Sequence, residues 1–400
     1  RISLATSMST MRSSGLVMVP DVSNLSVPST LPVVPKALGK LRHVFSSSLL
    51  SVQRKPNPLN FRSAKRIICV LVDGLGADNI LQRSGHAPWL SAHVKAGAVS
   101  HAGFPSTTSA NIASFATGLT PGEHGLIGHQ VFDRVFDEKI NLLTGWNERT
   151  DPVLWQPNQT VSEMAFAAGI GCNVIGHEEY RNTGYTDATM RKAEYVAAES
   201  MVDRFDAARS ILNSPGESIS YLYIPELDKY GHRFGWQSPG WANLLEELDG
   251  LLARFAATLP KDCALVVTAD HGMIDSELDQ HLVIDDVVEQ GGLLEWFGGD
   301  TRVGYLYLKD PAAARDFQQR LEPQSALYQP VLTKDAIDAN WFGPVGELAS
   351  QRLPELMLLA RSNFTLFHSV YSKKRSIEMI AHHGGLSSNE LRIPLIRVGV

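Results

Sequence analysis

The chain has 400 residues, 44% of them apolar and 20% charged, which suits a globular protein of one large or two ordinary domains. A net charge of −6 excludes a broad basic face, so stable nucleic-acid binding is not expected and any phosphate must be handled by a local site. No apolar run is long enough to span a bilayer.

The start, RISLATSMSTMRSSGLVMVP, has arginine and serine but no apolar core, and makes a poor secretory signal. Residues 1–35 are rich in Ser, Thr and Pro without a steady period and read as an extended arm. Residues 36–400 read as one domain, with 275–380 irregular enough to hold a small subdomain or pocket loops. Within that domain RIICVLVDG is a buried strand ended by Asp73 and Gly74. FPSTTSANIASFATG then reads as a helix opened by proline and hydroxyl residues, with small residues that allow close packing. GCNVIG is a strand, residues 189–213 carry helical patterning, and SISYLYI is a strand. PGWANLLEELDGLLARFAATL is an amphipathic helix, CALVVTADHG and RVGYLYL are strands, and AAARDFQQRL is a helix. ELMLLA and IPLIRVGV are the late strands. Strands alternating with helices predict an α/β fold with a mostly parallel central sheet, and continuous apolar strands predict helices on both of its faces. Cys69, Cys172 and Cys263 lie in or beside such runs and read as free buried thiols, which favours a reducing, cytoplasmic setting.

In open α/β sheets ligands bind beyond the carboxyl ends of strands. There the sequence places Asp73, then Asp228 and His232 in YIPELDKYGH, then Asp270 and His271 in TADHG. His382 and His383 follow late in the chain. Asp and His are ligands for borderline cations such as Zn²⁺ or Mn²⁺. An Asp-Gly after a strand is ordinarily a turn, and an Asp four residues before a His also occurs on solvated helices. Asp270-His271 is the least ordinary pair, with Gly272 free to swing the chain so that both side chains face one ion. Singly the others favour structural roles; together they favour a two-metal site. The threonine stretch stays open at this level between a capped helix start and a nucleophile at a helix N-terminus, where an anion is favoured.

The pieces VLVDGLG, FPSTTSANIASFATGLTPGEHGLIG, YIPELDKYGHRFG, TADHGM and HHGGLSSNE together resemble the type I phosphodiesterase/nucleotide pyrophosphatase family of the alkaline phosphatase superfamily, in a form that looks bacterial. The resemblance covers the chain from about Lys65 onward and implies an alkaline phosphatase-like core. It implies two divalent cations, Zn²⁺ first and Mn²⁺ second. Asp73, Asp270 and His271 with the Thr108 oxygen would hold one, and Asp228, His232 and His383 the other. The family pattern selects Thr108 as nucleophile, His383 over His382, and Asn111 as a contact to a phosphoryl oxygen; Thr108 and Asn111, three apart, share a helix face. Ser106 and Thr107 are left as capping candidates, and His124 as a structural residue. Tyr223 matches an aromatic that stacks on a nucleobase in nucleotide-cleaving members, whereas Ser109 stands where a second aromatic is common; a core tyrosine is the competing reading. The implied activity is hydrolysis of small phosphate diesters or nucleotides through a phospho-threonine intermediate. A site with little surplus positive charge suits a monoanionic diester. Phosphomonoesterase or phosphonate hydrolase activity, and a non-catalytic phosphate-binding role, remain the alternatives.

Overall fold

A computed structural model describes residues 17–18, 30–322 and 326–400. Most of the expected arm, residues 1–35, lies outside the described residues, and residues 30–35 form neither helix nor strand. The fold is α/β and alkaline phosphatase-like, built on a seven-stranded, mostly parallel sheet flanked by helices on both faces. Its order is Val99–His101, Arg392–Val398, Cys263–Ala269, Arg66–Val72, Ser218–Ile224, Gly171–Gly176, Glu194–Ala197. The strands from Cys263–Ala269 to Glu194–Ala197 pair in parallel; Arg392–Val398 runs antiparallel to both of its neighbours. Ile67 to Val72 are wholly buried, as a strand covered on both faces requires.

Register positions the site. Val72 stands opposite Ala269 on one side and Ile224 on the other, so three central strands stop at the same level. The next residues of two of them are Asp73 and Asp270. The third runs through Pro225 into the Glu226–Phe234 helix, which carries Asp228 and His232 one turn apart. The Thr108–Thr117 helix is buried along its whole length, and its small residues let it pack tightly.

A second, antiparallel sheet of six strands has the order Tyr328–Leu332, Leu356–Ala360, Val303–Leu308, Leu294–Asp300, Gln130–Asp133, Glu138–Asn141. Four of these strands come from the irregular 275–380 interval, and the other two from a hairpin that precedes it. The main apolar core runs on into this sheet through Tyr305, Tyr307 and Met357, and a smaller core beneath it gathers Leu306, Phe317 and Leu358. The helix expected over 189–213 begins only at Met201, where Ser200 and Asp203 form a capping box. Glu194–Ala197, with aromatic and β-branched residues at its centre, takes the sheet edge instead. The three cysteines are free and buried, and no helix among the described residues is long and apolar enough to cross a membrane.

Candidate active site

Asp73, Asp270 and His271 form one cluster and Asp228, His232 and His383 another; within each, the potential ligand atoms lie within 4.8 Å of one another. The clusters are adjacent. The rings of His271 and His383 stack with centroids 3.7 Å apart, and a Cβ on Gly74 would come within 3.1 Å of Asp228 Oδ1. Thr108 joins them to the helix. Its Oγ1 lies 3.1 Å from His271 Nε2 and 3.5 Å from Asp73 Oδ1.

The three imidazoles share one orientation rule. His271 Nδ1 donates to the Gly272 carbonyl at 3.2 Å, His232 Nδ1 to Ala381 at 2.7 Å, and His383 Nδ1 to Ser106 at 3.0 Å. Each ring therefore presents the unprotonated Nε2 inward, the tautomer a cation needs. His271 Nε2 is 3.4 Å from a carboxylate oxygen of both Asp73 and Asp270, and His232 Nε2 is 3.3 Å from Asp228. Asp228 Oδ1 and Asp270 Oδ2 are buried without a hydrogen-bond partner. Buried carboxylate oxygens left in this state are costly, and a divalent cation would satisfy them. The donor set thus fits a cation in each cluster.

Burial raises the Asp73 carboxyl well above its usual range, and the nearby Asp270 and Asp228 charges push the same way; Asp270 is raised by burial and then by Asp228. Burial would also raise Asp228, but His232 and His383 outweigh it and hold that carboxyl low. Burial drives His271 well below its usual value and the charge of His383 adds to this, whereas on His232 the attraction of Asp228 overcomes burial and raises it. In the first cluster burial and mutual repulsion therefore disfavour the ionised carboxylates, while in the second the imidazoles favour the ionised Asp228.

Gly272 does not act by swinging the chain. It makes room, since a Cβ there would sit 2.1 Å from the Asn389 carbonyl oxygen. Neither Ser106 nor Thr107 caps the helix: Ser106 Oγ donates to Gly385 O at 2.7 Å, and Thr107 Oγ1 is buried without a partner. Ser109 Oγ donates to Gly128 O at 2.5 Å and faces away from the site. The expected contact of Asn111 with a phosphoryl oxygen is not what the structure offers. Its Oδ1 accepts from Gly103 N at 2.6 Å, and its Nδ2 donates to Pro105 O at 3.1 Å and Thr107 O at 3.3 Å. Facing the loop that leads into the helix, it fixes the approach to Thr108. Tyr223 is half-buried, its hydroxyl donating to Asp73 Oδ2, with Tyr180 packed edge-on at 5.8 Å. His382 is buried away from the clusters, with Thr301 Oγ1 on Nδ1 at 3.0 Å and Met379 O on Nε2 at 3.0 Å.

Two neighbours were not visible in the sequence. Tyr180 continues the aromatic wall begun by Tyr223, and Lys229 Nζ stands 5.1 Å from its ring centre. His129 is half-buried where the charges of Asp300, His383 and His232 all act on it, and Asn141 Nδ2 donates to its Nε2 at 2.8 Å. Only its place after GLIG sets it apart in the sequence.

The family model for type I phosphodiesterase / nucleotide pyrophosphatase matches residues 67–386. The chain belongs to this family. Among curated relatives, bis(5'-adenosyl)-triphosphatase enpp4 of Xenopus laevis is 24% identical over 294 residues, covering 70% of this chain and 60% of the relative. An uncharacterized pyrophosphatase/phosphodiesterase of Schizosaccharomyces pombe is 23% identical over 249 residues, covering 55% of this chain and 47% of the relative. The family member described here thus spans about half of the curated relatives it matches, up to 60%. Among solved structures, murine ectonucleotide pyrophosphatase / phosphodiesterase 5, in an inactive form in complex with AMP, superimposes with a TM-score of 0.64 at 16% identity, covering 83% of this chain and 87% of that one.

Proposed function

We propose that this chain is a metal-dependent phosphodiesterase that hydrolyses small phosphate diesters, nucleotides among them, through a covalent phospho-threonine. The observation that carries this reading is the position of Thr108 Oγ1, held at the helix start against His271 and Asp73, beside two clusters of inward-facing ligand atoms. Asp73, Asp270 and His271 would hold one divalent cation, and Asp228, His232 and His383 a second, with Zn²⁺ suited to this mix of imidazole and carboxylate. Such ions lower the pKa of a bound hydroxyl or water and offset charge on the oxygens of an in-line displacement.

The chain's own groups define the rest. Thr108 Oγ1 gives up its proton to solvent and attacks phosphorus, the P–O bond to the leaving group breaks and that oxygen takes up a proton, and water then cleaves the Thr108 phosphoester and returns a proton to Thr108 Oγ1. The helix Thr108–Thr117 has no side-chain cap, so its first-turn N–H groups are free to donate to the phosphoryl oxygens. Asn111 keeps Thr108 in place from behind, and Tyr223 steadies Asp73. The aromatic wall of Tyr223 and Tyr180 offers a flat apolar surface to the organic part of the substrate. Three aspartates and a threonine alkoxide balance two divalent ions, and no surplus of positive charge is left for a dianion, which favours a diester over a monoester.

The test compares bis-p-nitrophenyl phosphate with p-nitrophenyl phosphate, with and without chelator. The expected result is faster turnover of the diester, loss of turnover on chelation and recovery with Zn²⁺. Thr108→Ala should abolish turnover while leaving metal content largely intact. Near-normal turnover by that variant would overturn the nucleophile assignment.

A further inference from the structure

The ligands come from segments far apart in sequence, and the side-chain contact described between the clusters is the His271–His383 ring stack. Two buried residues outside the ligand set do connect these segments. Ser106, two residues before the nucleophile, spends all its polar groups on the loop after His383. Its N–H donates to Gly384 O at 3.3 Å, and its Oγ donates to Gly385 O at 2.7 Å. That Oγ also accepts from Gly384 N at 3.1 Å, and its carbonyl accepts from His383 Nδ1 at 3.0 Å.

Glu390 is wholly buried and grips the same loop from the other side. Its Oε1 accepts from Gly385 N at 2.7 Å, and its Oε2 accepts from Ser387 Oγ at 2.6 Å. Its backbone carbonyl accepts from Gly272 N at 2.9 Å, directly after His271. Arg302, from the hairpin of the second sheet, meets both Glu390 carboxylate oxygens, at 3.4 Å and 3.5 Å. A capping box would need only the Ser387 contacts. The bonds to Gly385 and Gly272 go beyond it, and they reach the backbone beside one histidine of each cluster.

Resting on the two-cation reading above, we propose that Ser106 and Glu390 are positioning residues that set the spacing of the two cation sites relative to Thr108, with Arg302 as their brace. Neither touches a ligand atom of a cation; both brace the backbone that carries His383 and His271, and the Ser106 carbonyl also holds the His383 ring through Nδ1. The side effect of losing either is a loosened His383, so the second site is the one that suffers first.

The experiment titrates Zn²⁺ into metal-stripped wild type, Ser106→Ala and Glu390→Gln by calorimetry, and measures kcat and KM for bis-p-nitrophenyl phosphate with melting temperatures alongside. The expected result is two sites in wild type. In the variants one site is weakened about tenfold or more, the other is unchanged, and kcat falls while KM stays within about twofold, with excess Zn²⁺ recovering part of kcat. Variants that keep both affinities and kcat overturn the proposal and leave the functional reading standing. Variants that lose fold and activity together overturn it in favour of a purely structural role. A wild type that takes up no divalent cation overturns the functional reading, and this proposal with it.

Discussion

The two ligand clusters reach the same kind of arrangement by opposite means. Asp73, Asp270 and His271 sit at or just past the ends of adjacent parallel strands, so the sheet's hydrogen-bond ladder sets their spacing. Their side chains are at most 3% exposed. Asp228, His232 and His383 come from one helix turn and a distant loop, and the His232 side chain is 21% exposed. The first cluster is also the one whose carboxylates burial and mutual repulsion leave uncompensated. On the proposed two-cation reading, the strand-end cluster would keep its cation, and the helix-and-loop cluster would exchange contacts with solvent and substrate.

Removing a ligand from each side is the strongest way to break that contrast. Asp270→Asn should reduce the bound cation count by one and lower kcat/KM on the order of a thousandfold, because the Thr108 hydroxyl loses its activating neighbour. His232→Ala should empty the other site and leave the first filled. Metal analysis of both variants after dialysis checks this. Equal retention by both would show that the clusters are not independent sites. A smaller effect separates them in time: on dilution into chelator, wild type should release one cation well before the other, as the 21% exposed His232 predicts. Release of both in a single phase would remove the distinction.

The difference between the clusters also explains what the sequence made visible. Asp270-His271 at an apolar strand end stands out by itself, since strand ends in an open α/β sheet are where ligands gather, whereas Asp73 gains weight only as part of the set. Asp228 and His232 share helical spacing, which alone fits a solvated helix face as well, and only the whole set and the family resemblance bring them to the site. His383 was separable from His382 by family resemblance alone; the physical reason lies in tertiary structure, with Thr301 and Met379 occupying both nitrogens of His382. Asn111 misled for a related reason. Sharing a face with Thr108 is a local fact, but the amide is claimed by Gly103, Pro105 and Thr107 in the incoming loop. The 130–141 hairpin was unreadable because its sheet partners begin more than 150 residues later: Gln130 pairs with Gly299. Ser106 and Glu390 look like ordinary capping residues until their long-range partners are in place.

Gly384 tests the loop-built cluster at a single backbone position. Its φ of +123° is a region that L side chains rarely adopt, and a Cβ would meet Asp300 Cβ at 3.0 Å. Gly384→Ala should cost about 1–3 kcal/mol of stability from that strain. It should also lower kcat about tenfold by shifting His383. Gly272→Ala, by contrast, has a normal backbone but meets the Asn389 carbonyl oxygen at 2.1 Å, and should displace His271 in the strand-end cluster. Urea unfolding together with kcat for both variants measures the comparison. If Gly384→Ala were neutral in stability and rate, the loop would be softer than the contrast requires.

The smallest expected effect concerns the support beneath both clusters. His124 Nδ1 accepts from Leu126 N at 3.1 Å, so its proton sits on Nε2, which faces Ser114 Oγ on the nucleophile helix at 2.9 Å. Burial brings its pKa down to about 3, with the Arg352 charge adding to the effect. A second proton would have to displace the Leu126 bond. Below the ordinary imidazole range the unfolded chain takes up that proton while the folded chain does not. Stability from this residue is therefore complete above pH 6.5 and is lost as the pH falls toward the folded value. At pH 5 the loss amounts to about 2 kcal/mol. Replacing His124 with Gln should flatten the difference in unfolding free energy between pH 7 and pH 5 by about that amount, whatever it does to stability at pH 7. An unchanged pH slope would mean that the imidazole is not held neutral, and that the nucleophile helix is anchored by something other than His124.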